Sequence, residues 1–223
     1  MMLDSTELAP RWQQCWQDLS IDCQETDLPQ ATLGKRVFQL LITAYTQTDR
    51  YYHNLTHIHQ IFTTLDRFSS TLQNPIAVSL AAWFHDFVYD AQASDNEIQS
   101  ARSAGELLAS IGGARELIDR VQSLILATQG HQIDPNDRDK CIFLDADLAI
   151  LGTDPSRYQI YQRSIRCEYS WVSDEAYQTG RIRVLESFLQ RDQIYYTDLL
   201  FNELESLART NMSNEILLLK NTI

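Results

Sequence analysis

Four of the five histidines stand at His53, His57, His59 and His85, and Asp86 follows the last directly. Imidazole nitrogens and carboxylate oxygens are common ligands for divalent first-row cations, and imidazole also exchanges protons near neutral pH. The pair His85-Asp86 lies inside "AAWFHDFVYD", residues 81–90, a stretch otherwise apolar enough for a core helix. An ionised carboxylate left unpaired there costs several kcal/mol, so Asp86 needs a partner. On a helix, adjacent side chains diverge by about 100°, which makes His85 a poor one. A divalent cation reached by both side chains would satisfy them. The alternative is a satisfied core histidine beside an aspartate that caps something nearby, and the dipeptide alone favours that alternative.

The neighbouring chemistry shifts the balance. In "RYYHNLTHIHQIF", Asn54 reads as the N-cap of a following helix. His57 is then four residues before Ile61 and shares its core-facing stripe, whereas His59 aligns with Thr63 and Asp66 and is expected to face solvent. His53 lies just ahead of the helix, within reach of the same site. Downstream, "IFLDADLAILG" interrupts an apolar helix with Asp145 and Asp147. Two residues apart, they point to roughly opposite faces, so one of them lines a given pocket; periodicity does not choose between them.

The elements that must position these groups read as helices throughout. Apolar residues recur at helical spacing over residues 5–19, 30–47 and 55–68, and Asn74-Pro75 supplies a cap and first-turn proline for the helix leading to His85. Residues 96–111 and 114–129 form a pair split by Gly112-Gly113; Asp134-Pro135 and Gly152 bracket another helix, Asp154-Pro155 opens the next, and residues 174–191 and 197–219 complete the set. The expected fold is all-α, about nine or ten helices in a single domain over 1–223, with residues 1–30 as an N-terminal helical extension. Only 7 Gly and 5 Pro occur among 223 residues, which fits helices rather than a turn-rich β fold.

The net charge of -12 opposes binding to polyanions in bulk, so no general nucleic-acid partner is expected. Cys15, Cys23, Cys141 and Cys167 form no CxxC pair, which argues against a structural zinc and for buried or idle thiols in a reducing cytosol. No apolar run approaches the ~18 residues that span a membrane, and "MMLDSTELAP" lacks signal-peptide character. A cytoplasmic protein with no membrane partner is the expectation.

The ordered set of His57, His85-Asp86 and an aspartate of "DADL" resembles the HD superfamily of all-α metal-dependent phosphohydrolases. The likeness is closest to a subgroup of predicted HD phosphohydrolases, through "YHNLTHI", "WFHDFVYD" with "DNEIQSA", "LDADLAILG" and a C-terminal "EY…GR…VLESFL…IY" region, over residues 35–215. The resemblance implies metal ligation by His57, His85, Asp86 and Asp147, the last because the family aspartate stands in an "AD-x-L" context. His53 and Asp145 are then alternative or supporting ligands. The implied ion is Mn, Mg, Fe, Co, Ni or Zn, and the implied reaction is hydrolysis of a small phosphorylated molecule, such as a nucleotide, by metal-activated water.

Some members hold two metals through extra histidines between the HD pair and the last aspartate. Here only His131 lies in that interval, so one ion is expected, with His131 as a phosphate contact or proton carrier, or simply a surface residue after a helix cap. Asp90 and Glu97 are candidate bases, although Ser94 and Glu97 also fit a capping box. Arg50, Arg166 and Arg181, with Arg163 and Arg183, are candidate phosphate clamps because guanidinium binds phosphate bidentately. The alternatives to hydrolysis are a metal- or nucleotide-binding module without turnover and a di-iron oxygenase, which needs more histidines than this interval holds.

Overall fold

Asparagine and aspartate open several helices where the sequence places them. The Asn54 side chain accepts from Thr56 N at 2.8 Å, Asn74 accepts from Ala77 N at 3.0 Å, and Asp154 accepts from Ser156 N and Arg157 N at 3.1 and 3.2 Å. The structure is a computed structural model and describes residues 5–19, 29–131 and 135–221. It contains α1 (Ser5–Asp18), α2 (Gln30–Tyr45), α3 (Leu55–Asp66), α4 (Pro75–Phe84), α5 (Asn96–Ser110), α6 (Arg115–Ala127) and α7 (Arg138–Leu148). A 3-10 turn (Ala149–Gly152) then leads to α8 (Pro155–Glu168), α9 (Asp174–Leu189) and α10 (Asp198–Asn221). The fold is all-α, with no strand among the described residues. No described helix is long and apolar enough to cross a membrane.

Three helix boundaries differ from the sequence expectation. Helix α5 starts after Asp95 rather than Ser94, so the Ser94–Glu97 capping box does not form; Asp95 instead accepts from Gln99 Nε2 at 2.9 Å. Helix α7 starts at Arg138, and Asp137 takes its Lys140 N at 3.1 Å; Asp134 lies outside the described residues, as does Cys23. Helix α4 ends at Phe84, one residue before His85, with consequences for the site below.

The chain divides into two compact units, Met1–Phe143 and Leu144–Ile223, the division falling within α7. In the first, α4 is apolar on all sides and is packed by α1, α3, α5 and α6, so Ala77, Val78 and Leu80 through Phe84 are fully buried. Trp83 contacts the rings of Trp12, Phe38 and Phe62, and its carbonyl accepts from the Tyr45 hydroxyl at 2.9 Å. Asp139, fully buried, accepts from Gln73 N and Asn74 N at 2.8 and 2.9 Å just ahead of α4.

In the second unit, α10 packs on α9 and on the 3-10 turn. Gly152 makes that second contact possible: a Cβ there would stand 2.5 Å from the Leu204 Cβ and 2.9 Å from its carbonyl oxygen. Asn211 donates from Nδ2 to the Leu151 and Thr153 carbonyls at 2.9 and 2.8 Å, fixing the turn that ends α7.

Candidate metal centre

The early end of α4 rearranges the HD pair. His85 occupies the C-cap and Asp86 the following turn, so the pair escapes the helical divergence that would separate the two side chains. His85 Nε2 lies 3.0 Å from Asp86 Oδ2, and the adjacent histidine is therefore a partner of the aspartate after all. Two buried groups hold the turn open. Arg50 donates from Nη1 to the Asp86 carbonyl at 2.6 Å and from Nη2 to the Phe87 carbonyl at 2.9 Å. Ser100, buried on α5, accepts from Val88 N at 3.0 Å and donates to Val88 O at 3.1 Å.

His57 projects from the buried stripe of α3, as Asn54 and Ile61 imply. Its Nε2 lies 3.2 Å from His85 Nε2 and 3.8 Å from Asp86 Oδ2. The other nitrogen of His85, Nδ1, is 3.1 Å from the Ala82 carbonyl, which can only accept, so Nδ1 carries a hydrogen and Nε2 is directed at His57 and Asp86; the protonated ring donates from Nε2 to Asp86, and the neutral ring presents a lone pair there. Burial alone would raise the Asp86 pKa; the charge of His85, with His53 and His57 adding to it, outweighs burial and holds the carboxyl well below the usual range. His53 sits just before the α3 cap, stacked on Tyr89 with centroids 4.3 Å apart and edge-on to Tyr52 at 4.9 Å.

Helix α7 sends its two aspartates in different directions. Asp145, fully buried, accepts from Tyr196 N, Thr197 N and Thr197 Oγ1 at 2.8, 2.7 and 2.6 Å at the start of α10. Burial, with Glu205 adding to it, raises its pKa to about 6 against the pull of those three bonds. Asp147 is half-buried, one helical turn beyond Phe143, whose ring meets His85 edge-on at 5.8 Å. His57, His85 and Asp147 each present a ligand atom, and these atoms lie within 4.8 Å of one another.

No family model, curated protein or solved structure matches the chain.

The local chemistry fits a divalent cation. Two ligand atoms bound at about 2.1 Å to one ion stand roughly 3 Å apart, which is the spacing of the facing Nε2 atoms, 3.2 Å. Two imidazoles and a carboxylate, with Asp86 alongside, form a donor set that borderline and hard divalent ions accept. His57, His85 and Asp147 could hold such an ion.

The remaining candidates stand elsewhere or are committed to the fold. Asp90 is exposed; its Oδ1 accepts from Gln92 N at 2.8 Å, and its backbone pairs with Asn96. Glu97, in the first turn of α5, and His59 are both half-buried. His131 follows Gly130 in a left-handed conformation with φ 51°. Arg166 donates to the Tyr169 and Val172 carbonyls at 2.7 and 3.2 Å and to Asp174 at 2.6 Å. Arg181 is buried against Glu215, with Nε to Oε1 at 2.7 Å. Cys15 and Cys141 are buried and Cys167 exposed, none of them in the histidine cluster. Sequence reasoning missed Ser100, although it stands in the quoted "DNEIQSA", and missed the tyrosines around His53, one of them signalled by "YYH".

Proposed function

We propose that the protein is an HD-type metal-dependent phosphohydrolase acting on a small phosphorylated molecule such as a nucleotide. The observation that carries this reading is the pair of facing Nε2 atoms of His57 and His85, 3.2 Å apart, with an Asp147 oxygen inside the same 4.8 Å group. A divalent ion held by His57, His85 and Asp147 would supply Lewis acidity to a phosphoryl oxygen and lower the pKa of water. Three protein ligands leave positions for both.

The chain's own groups prepare that chemistry. The Ala82 carbonyl fixes the His85 ring, and that bond sets which nitrogen faces the site. Asp86 is held anionic and so stays a hydrogen-bond acceptor 3.0 Å from His85. Asp86 and His53 adjoin the histidine pair and are better placed to move a proton than Asp90, whose carboxylate closes its own turn. With a net charge of -12, the protein attracts cations and repels long polyanions, which favours a small phosphate met at the ion.

The test is a phosphate-release screen over small phosphomonoesters, phosphodiesters and nucleotides with Mn²⁺, Mg²⁺, Co²⁺ or Ni²⁺ added, alongside metal analysis of the protein. Metal-dependent release is expected, abolished together with metal content in H85A and D147A. Metal binding without release from any substrate would identify a binding module instead. A wild-type protein that takes up none of these ions would overturn the reading.

A further inference from the structure

We propose that Arg50 is a positioning residue that sets the spacing of the histidine ligands, an inference that rests on the metal-site reading above. The sequence suggests a phosphate clamp at this position, but the guanidinium faces inward and is only 6 % exposed. Nη1 donates to the Asp86 carbonyl at 2.6 Å and to the His53 carbonyl at 3.3 Å. Nη2 donates to the Phe87 carbonyl at 2.9 Å, and Nε to Gln47 Oε1 at 3.1 Å. One rigid group thus ties the segment just before α3, which carries His57, to the turn just after His85.

The residue type matters. A planar fork with five donors can hold carbonyls from two segments at fixed angles; a lysine ammonium on its flexible stem cannot. Charge compensation does not explain the arginine, because no ion pair among the described residues includes it. The Tyr45 and Tyr89 rings, 5.1 and 5.4 Å from the guanidinium carbon, and the carbonyl dipoles are what stabilise the cation. A buried cation without a counter-ion is costly, and an apolar side chain would fill the space more cheaply. What the apolar side chain would lose is the spacing between the two ligand-bearing segments. The carbonyls that would carry α4 on through the HD pair, Ala82 and Trp83, are taken by His85 Nδ1 and the Tyr45 hydroxyl, and Arg50 binds the turn that follows.

The experiment compares R50M and R50K with R120M in the full chain. Arg120 makes a bidentate pair with Asp137 at 2.7 Å in the same unit and touches none of the histidines, so it controls for lost stability. Mn²⁺ titration of the metal-stripped proteins should show affinity lower by roughly 10- to 100-fold in R50M, the usual effect of removing an outer-shell group. R50K should restore part of it, and R120M should bind as wild type does. In the metal-free state, ¹H–¹⁵N spectra of the histidine rings should shift for His57 and His85 in R50M and not in R120M. If R50M fails to fold, R50K, which keeps the charge and loses the fork, carries the test, with an affinity still below that of the wild type. Wild-type Mn²⁺ affinity in the folded Arg50 variants overturns the proposal and leaves the metal site standing. Absence of Mn²⁺ binding by the wild type removes the metal-site reading itself.

Discussion

Two buried polar clusters in this molecule close in different ways. Arg181 donates to both oxygens of Glu215 at 2.7 and 3.1 Å, and the Tyr158 hydroxyl adds a third bond at 2.6 Å. Opposite charges meet, and each carboxylate oxygen has donors; the Arg181 pKa, which burial would lower, is raised well above its ordinary value by Tyr161 and Glu215. The His57–His85–Asp86 cluster brings two like nitrogens face to face beside one carboxylate. One imidazole proton can serve that contact, whereas a cation can serve both nitrogens and the carboxylate beside Asp86. The first arrangement is complete in the chain's own atoms and reads as stability. The second, with Asp147, could hold a metal ion.

E215A would strand a buried guanidinium and a buried phenol, and should cost about 3–5 kcal/mol of unfolding free energy in urea. A much smaller loss would mean that Glu215 is not the group that compensates the buried Arg181.

The histidine cluster predicts the reverse sensitivity. Divalent metal at 100 times its Kd should stabilise the wild type by about 2.7 kcal/mol through mass action. H85A should show no such gain in a thermal-shift or urea measurement, and E215A, as far as it folds, should keep it. A gain that survives in H85A would place the ion elsewhere.

A third cluster calibrates the scale. Asp137 pairs with Arg120 in a half-buried setting, and chiefly that hydrogen bond lowers its pKa from 3.8 to about 2. Its stabilisation is complete above the ordinary value and is lost as pH falls through about 2. D137N keeps the α7 cap, so it should cost less than ~1 kcal/mol at neutral pH. The difference from wild type should shrink as pH falls from 4 to 2.

Much of the fold and part of the site were legible in the sequence because they depend on local rules. Asn54, Asn74 and Asp154 name their own helix starts, since a short polar side chain can reach the amides two or three residues on. The spacing from His57 to Ile61 reveals a core-facing histidine because a helix repeats its face every turn. Helix α4, apolar on every side, could only be a core element.

What the sequence could not decide lies in contacts between distant segments. The turn after α4, in which His85 meets Asp86, is bound by Arg50 and Ser100, 36 and 12 residues away from their carbonyl partners. The difference between Asp145 and Asp147 depends on Tyr196 and Thr197, whose amides claim the Asp145 carboxylate, whereas an Asp147 oxygen lies within 4.8 Å of the His57 and His85 ligand atoms. Local periodicity tells which way a side chain points along its own helix. Only the folded chain sets what stands opposite it, because hydrogen bonds and ion coordination act over about 3 Å between atoms that may be far apart in sequence.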